Sequence, residues 1–296
     1  MGKYHSGFVS IIGRPNVGKS TLMNAMIGEK IAIISNKPQT TRNRIQCVLT
    51  RPEYQIVFID TPGLHKPKNK LGEYMVNAAS STLDEVDAIL FVVDIKDGIG
   101  GGDKRIIEML KGVKAPIILA ANKIDGMSTK KIDGELSKIE QFDIFDRIVK
   151  VSASTGENLN QLEDILRSYM PEGPQYYPPD MITDQPERII IAELIREKAL
   201  NFLREEIPHG IGVEIMHMEE RDDKNIIDIN ATIYCEKNSH KSIIIGKGGS
   251  MLKAIGSSAR SDIEKLLDTH VYLELWVKVK DDWRNSPGML RTLGYK

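Results

Sequence analysis

Two domains are expected: a doubly wound α/β domain with a mostly parallel sheet over residues 1–172, and a smaller α+β domain over 185–296, joined by a proline-rich stretch at 173–184. Three observations predict this division. Up to about residue 169, strand-length apolar runs alternate with helix-length amphipathic stretches, as βα units around a parallel sheet require. Four prolines then fall within the nine residues 171–179, where neither a helix nor a central strand can continue; such a stretch reads as a semi-rigid linker. Beyond it the order changes to one helix, two alternating strands, two helices about a glycine turn, and a last strand.

The strands of the first domain are predicted at 8–12, 45–49, 56–60, 88–94, 116–121 and 148–151. The second domain is predicted to hold a helix over 186–206, strands at 212–218 and 226–235, two helices within 241–267, a strand at 271–280 and a tail helix near Met289. An apolar share of 41% over 296 residues can fill both cores. The formal net charge of -1 shows no global cationic excess, so any site for a polyanion must be local. Cys47 and Cys235 lack metal-ligand spacing and the six histidines are scattered, which points to a reduced cytosolic protein without a cysteine or histidine metal site. The first seven residues lack the apolar core of a secretory signal, and the run at 88–93 has the length of one buried strand, far short of a membrane span.

The strongest motif is Gly13-Arg14-Pro15-Asn16-Val17-Gly18-Lys19-Ser20, followed by Thr21. It lies between a predicted strand and a predicted helix, where turned-in backbone amides and a helix N-terminus can cradle phosphates. Lys19 would reach the β and γ phosphates and Ser20 would place its hydroxyl on Mg²⁺. Asp60-Thr61-Pro62-Gly63 closes another strand, with Asp60 on the metal side and the Gly63 N–H placed to sense the γ-phosphate.

Asn122-Lys123-Ile124-Asp125 also follows a strand. The Asp125 carboxylate can accept from N1–H and the exocyclic amine of guanine, which adenine does not offer together, so the nucleotide is expected to be GTP. Asn122 would hold the loop and face the base, Lys123 would lie along the ring plane, and a backbone N–H from Ser152, Ala153 or Ser154 would meet guanine O6.

Residues 35–42, between the first and second strands, are polar and aperiodic and read as a switch segment. Thr41, or alternatively Thr40, would bind Mg²⁺ only while the γ-phosphate is present. Leu64 follows Gly63, where Ras-like enzymes place the glutamine that orients water. Leucine has no hydrogen-bonding group, so hydrolysis must use other means. Asn16 resembles the asparagine with which some GTPases hold K⁺ beside the phosphates; Lys19, Asn16 and Gly63 are thus the candidate catalytic groups.

In the second domain, Ile244-Ile245-Gly246-Lys247-Gly248-Gly249 sits between the two predicted helices and resembles the G-X-X-G loop of KH RNA-binding modules. Residues 237–261 carry five basic side chains, Lys237, Lys241, Lys247, Lys253 and Arg260, and no acid, giving the local positive face that net charge conceals. Residues 243–245, Leu252 and Ile255 are candidates either for the floor of a base-binding groove or for the core. Trp276 and Trp283 are expected in the core.

Taken with Pro38-Gln-Thr-Thr-Arg42, Asp60-Thr-Pro-Gly-Leu-His65 and Leu273-Glu-Leu-Trp-Val-Lys-Val-Lys280, these motifs make the chain similar to the Era family of bacterial GTPases across nearly its whole length. The resemblance implies a P-loop GTPase domain followed by a type II KH domain. It implies binding of 16S rRNA near its 3′ end during small-subunit maturation, while Mg²⁺-dependent GTP hydrolysis, K⁺ as an activator through Asn16 and GTP gating of RNA binding are expected from the motifs above. It also implies a cytoplasmic monomer with peripheral contact to the inner face of the cell membrane.

Overall fold

The structure, a computed structural model, describes residues 3–34, 42, 45–60, 69–80, 86–204, 207–221 and 225–295, with the backbone alone for 76–80. The chain divides into two compact units at Asp184 and Gln185. Strands β1 (His5–Ile12), β2 (Ile45–Arg51), β3 (Tyr54–Asp60), β4 (Ala88–Asp94), β5 (Ile117–Asn122) and β6 (Arg147–Lys150) form one sheet in the order β2-β3-β1-β4-β5-β6. Every pairing is parallel except β2 with β3.

Because both faces of this sheet are covered, its strands read as continuous apolar runs and not as alternating ones. Val9, Leu90 and Ile118 pack with Leu22 and Met26 of α1 (Lys19–Ile27) and Leu162 and Leu166 of α5 (Leu159–Ser168). Their neighbours Ile12, Phe91 and Leu119 face the opposite way, onto Ile106 and Leu110 of α3 (Gly101–Leu110) and Leu136 and Ile139 of α4 (Thr129–Glu140). A period of two therefore sorts each strand onto two cores. Helix α2 (Lys70–Ser80) precedes β4.

Parallel pairing brings the ends of β1, β3, β4, β5 and β6 to one edge, where ligands of such sheets bind. The antiparallel β2 begins there too, since Ile45 pairs with Asp60.

The proline-rich stretch is not a free spacer. Gln55, fully buried, accepts the N–H groups of Tyr176 and Tyr177 at 2.9 and 3.0 Å and donates to the Tyr177 carbonyl at 3.0 Å. Val48 N–H donates to the Ile182 carbonyl at 2.9 Å and the Thr183 hydroxyl to the Gln46 carbonyl at 2.7 Å. β2 is an edge strand whose backbone needs partners, and Ile182 and Thr183 supply them.

The second unit runs α6 (Glu187–Phe202), β7 (Gly212–Glu220), β8 (Ile226–Cys235), α7 (Asn238–Ile245), α8 (Ser250–Leu267), β9 (His270–Val279) and α9 (Pro287–Thr292). Its sheet has the order β7-β8-β9, with β8 antiparallel to β7 and parallel to β9. A parallel pair needs a crossover, and α7 and α8 provide it. Ile191, Ile195 and Ala199 of α6 and Ile255, Ala259 and Ile263 of α8 close the core over Ile229, Ala231 and Ile233. Trp283 is fully buried, its indole N–H donating to the Gly210 carbonyl at 2.9 Å.

Candidate nucleotide site and nucleic-acid groove

The phosphate loop follows β1 directly. Gly18 stands at φ +98, and a Cβ added there would fall 2.3 Å from Asn122 Nδ2, so both backbone handedness and close approach require glycine. Asn16 takes the left-handed φ of 67, which asparagine tolerates better than other side chains. Helix α1 opens at Lys19, leaving N-terminal N–H groups without intrahelical partners, as anion binding requires. Pro15 and Thr21 lie in this loop and first turn.

Lys19 is 7% exposed and donates to the carbonyls of Gly13 at 3.0 Å and Arg14 at 3.1 Å. Burial pushes its pKa down, opposed by the Asp60 carboxylate. Asp60 ends β3 fully buried, and Ser20 Oγ donates to its Oδ2 at 3.1 Å. Two oxygen donors expected on a metal are thus neighbours, and a carboxylate beside a hydroxyl suits a hard divalent cation.

The Arg14 side chain belongs to a different network. Its guanidinium meets Asp103 at 2.9 Å, Asp97 at 3.5 Å and the Gly98 carbonyl at 3.3 Å. Asp103, fully buried, also accepts the Gly100 N–H at 2.9 Å; burial pushes its pKa up, against the pull of Gly100 and Arg14. The loop after β4 therefore braces the phosphate loop from the side.

The residues expected to read the base form one connected unit. Asn122 donates through Nδ2 to the Val17 carbonyl at 2.9 Å, while its Oδ1 accepts the Ala153 N–H at 3.0 Å. One buried amide thus ties the phosphate loop to residues 152–154, and of the three N–H groups that are candidates for guanine O6, that of Ala153 has Asn122 as its partner here. Lys123, at φ 68, reaches the Asn16 carbonyl at 2.8 Å and Asp94 Oδ2 at 2.6 Å.

Asp125 is held from two sides, with Lys96 Nζ donating to Oδ2 at 2.9 Å and Ser152 Oγ to Oδ1 at 2.9 Å. Ser154 Oγ lies 3.4 Å from the same Oδ1 and nearer, at 3.0 Å, to Ser152 Oγ. The Lys96 hydrogen bond, then that of Ser152, lowers the Asp125 pKa to about 2. A carboxylate offers roughly four acceptor positions. Lys96 takes one on Oδ2, and Ser152, with Ser154 more distant, bonds Oδ1; guanine N1–H and the exocyclic amine would use the positions that remain.

Sequence reasoning missed Asp94, Lys96 and Asp103. Only Asp94 left a signal, being an acid that closes a buried strand at the same edge as Asp60 and Asn122. Thr40, Thr41, Thr61, Pro62, Gly63 and Leu64 lie outside the described residues.

In the second unit, α7 ends at Ile245 and α8 begins at Ser250. Gly246 stands at φ +74, where a Cβ would fall 2.7 Å from that of Met251, so glycine sets the close turn between the helices. Lys247 and Lys253 are exposed, and Lys253 lines a cavity of about 390 Å³. Gly249, Leu252, Lys253 and Arg260 form its helical wall, and Tyr272 to Leu275 of β9 the other.

One open alternative is decided and one expectation needs correction. Ile244 and Ile255 are fully buried and belong to the core, because helical geometry turns them inward while Ile243, 49% exposed, points out. Trp276 is 57% exposed and is not a core residue; on an edge strand, alternate side chains leave the packed face.

Residues 8–123 match the family model described as a 50S ribosome-binding GTPase, and residues 206–284 match that of the KH domain. GTPase Era of Alkaliphilus oremlandii (strain OhILAs) is 63% identical over 99% of both chains, and GTPase Era of Clostridioides difficile (strain 630) is 59% identical over the same share. The chain belongs to the Era family of GTPases. A solved Era in complex with MgGDPNP and nucleotides 1506–1542 of 16S ribosomal RNA is 42% identical over 99% of both chains, with a TM-score of 0.95. An Aquifex aeolicus Era variant bound to GDP and AlF4⁻ matches at TM-score 0.94 with 42% identity, covering 98% of this chain and 99% of that one. Among the described residues of this Era-family chain, no helix is long and apolar enough to cross a membrane.

Proposed function

We propose that this Era-family GTPase binds single-stranded RNA of the 16S 3′ end in the groove between α8 and β9, that GTP gates this binding, and that the cycle serves maturation of the small ribosomal subunit. One observation carries the reading: the glycine turn, through Gly249, and Lys253 line a groove that residues 272–275 close on the other side, in the same chain as the expected guanine-reading cluster around Asp125. A backbone approaching Gly248 and Gly249 meets open space, and exposed lysines would neutralise its phosphates. The solved relative holding both MgGDPNP and 16S RNA supports the pairing of ligands.

Affinity of the full chain for a 16S 3′-end fragment is expected to exceed that for a scrambled RNA, and to be higher with a GTP analogue than with GDP. Lys247→Glu should weaken both RNAs and reduce the slope of log affinity against log salt by about 0.7, as loss of one phosphate contact on a single strand predicts. Equal, weak binding of both RNAs in every nucleotide state would sink the proposal.

Mg²⁺ fits the Ser20 and Asp60 oxygens, 3.1 Å apart, with Thr41 the expected further ligand; bound there it would neutralise charge on the β and γ phosphates. Lys19 would bind the same phosphates from the loop. The Arg14 guanidinium is committed to Asp103, so it does not serve as an arginine finger from within the loop. Asn16, exposed and left-handed, would hold K⁺ where that finger would lie. GTP turnover should therefore be faster in KCl than in NaCl of equal ionic strength, and Asn16→Ala should abolish the difference; equal rates in both salts would remove K⁺ from the mechanism. The reading extends to a cytoplasmic monomer that touches the membrane only peripherally, at its inner face.

A further inference from the structure

The sheet of the second unit carries large aromatic side chains that its core does not use, two of them on β9. In β9, Val271 and Val277 are buried, whereas Tyr272 and Trp276 are 55% and 57% exposed. Leu275 lies on the helix side, its Cδ1 3.3 Å from where a Cβ on Gly256 would stand. Alternation then puts Tyr272, Glu274, Trp276 and Lys278 on the opposite, outer face.

That face has its own organisation. Tyr272 pairs in register with Asp228, and Trp276 with Thr232. The Arg221 guanidinium lies over the Tyr272 ring, 5.5 Å from its centroid, and is held by Asp228 at 2.6 and 2.8 Å. Lys278 and Lys280 are exposed at the far end of the strand. The face is continuous with the groove, because residues 272–275 also form the groove wall.

We propose that the outer face of β9 extends the RNA track: nucleotides leaving the groove past the strand edge stack a base on the Trp276 indole. Arg221 and Tyr272 together offer a second stacking plane, and Lys278 meets a phosphate. This rests on the RNA-binding reading above. Flat aromatic and guanidinium surfaces on a sheet, flanked by lysines, are what unstacked bases recognise. Glu274 stands between the two rings and Asp228 beside them, so the patch is not the contiguous apolar surface that a protein partner would bury.

The chain has two tryptophans and Trp283 is fully buried, so emission accessible to a soluble quencher comes from Trp276. The full chain, with GTP analogue, would be titrated with a short 16S 3′-end oligoribonucleotide that fills the groove and with the same RNA extended at either end. Binding is followed by filter retention and by tryptophan emission with acrylamide. The extended RNA should quench Trp276 and shield it from acrylamide. Trp276→Ala should lose on the order of 10-fold in affinity for the extended RNA and little for the short one, the effect of one base stack, while Trp276→Phe keeps most of the affinity. An unchanged melting temperature verifies that each variant folds.

Equal affinity of wild type and Trp276→Ala for the extended RNA, with Trp276 emission unmoved, overturns the extension while leaving the groove intact. Emission that responds to protein concentration and not to RNA also overturns it, assigning the face to a second copy of the chain. If neither RNA binds the wild type, the extension falls together with the reading beneath it.

Discussion

Lys19→Ala is expected to abolish measurable GTP hydrolysis and, at the same time, to leave the nucleotide-free protein no less stable than wild type. The two effects have one origin. Lys19 is a cation brought into the interior, and burial pushes its pKa below the ordinary lysine value more than Asp60 raises it. A base whose folded-state pKa lies below its unfolded one binds its proton more weakly in the native state, so its charge opposes folding at every pH below the unfolded value near 10.4. The Gly13 and Arg14 carbonyls offset part of that cost, and their loss in the alanine variant limits the gain. What the charge is expected to supply is phosphate binding, and losing one buried electrostatic contact to a reacting group typically costs about 10²- to 10³-fold in rate. Thermal melts with and without GDP, beside single-turnover hydrolysis, separate the two. The wild type should melt higher with GDP, since a ligand that binds only the native state stabilises it, and Lys19→Ala should show no such rise. A variant that kept its GDP-dependent rise would remove Lys19 from the phosphate site.

Asp125→Asn should weaken GTP and GDP by roughly 10²- to 10⁴-fold, the scale on which mismatched buried hydrogen bonds discriminate, and should admit xanthosine nucleotides in their place. Guanine presents two adjacent donors, and only an ionised carboxylate accepts both. An asparagine amide offers one acceptor and one donor, which complements xanthine, whose C2 bears a carbonyl. Lys96→Ala should give a smaller loss by freeing the Asp125 carboxylate to rotate. The depressed pKa fixes the pH dependence as well. With a folded value of about 2, the carboxylate stays ionised from about pH 8 down to about pH 4, and protonation removes the acceptor only as pH falls through about 2. Competition between GTP and XTP for each variant, repeated at about pH 7 and pH 5, checks this. Preference for GTP retained by Asp125→Asn would overturn the assignment of Asp125 as the base reader.

Much of the nucleotide site was legible because its parts are local. A phosphate loop needs glycines, a lysine and a hydroxyl within one turn between a strand and a helix, and Gly13 to Ser20 supply them consecutively. The same holds for the strand-end aspartate at Asp60, for Asn122 to Asp125, and for the glycine turn at Gly246. The braces were not legible. Nothing in the spacing of Arg14 and Asp103, or of Lys96 and Asp125, announces a pair, because each joins loops that follow different strands and meet only when the parallel sheet forms.

By itself, then, the sequence determined the nucleotide, the order of elements and the chemistry of each loop, since short-range backbone geometry and hydrogen-bonding capacity set those. Tertiary structure decided the rest. It decided that residues 176–183 lie along β2 in place of spanning open solvent, because an edge strand needs backbone partners and Gln55 needs its amide satisfied. It decided that Ile244 is core and that Trp276 is surface, because an apolar side chain carries no record of which face of its element is covered until the neighbouring elements pack against it.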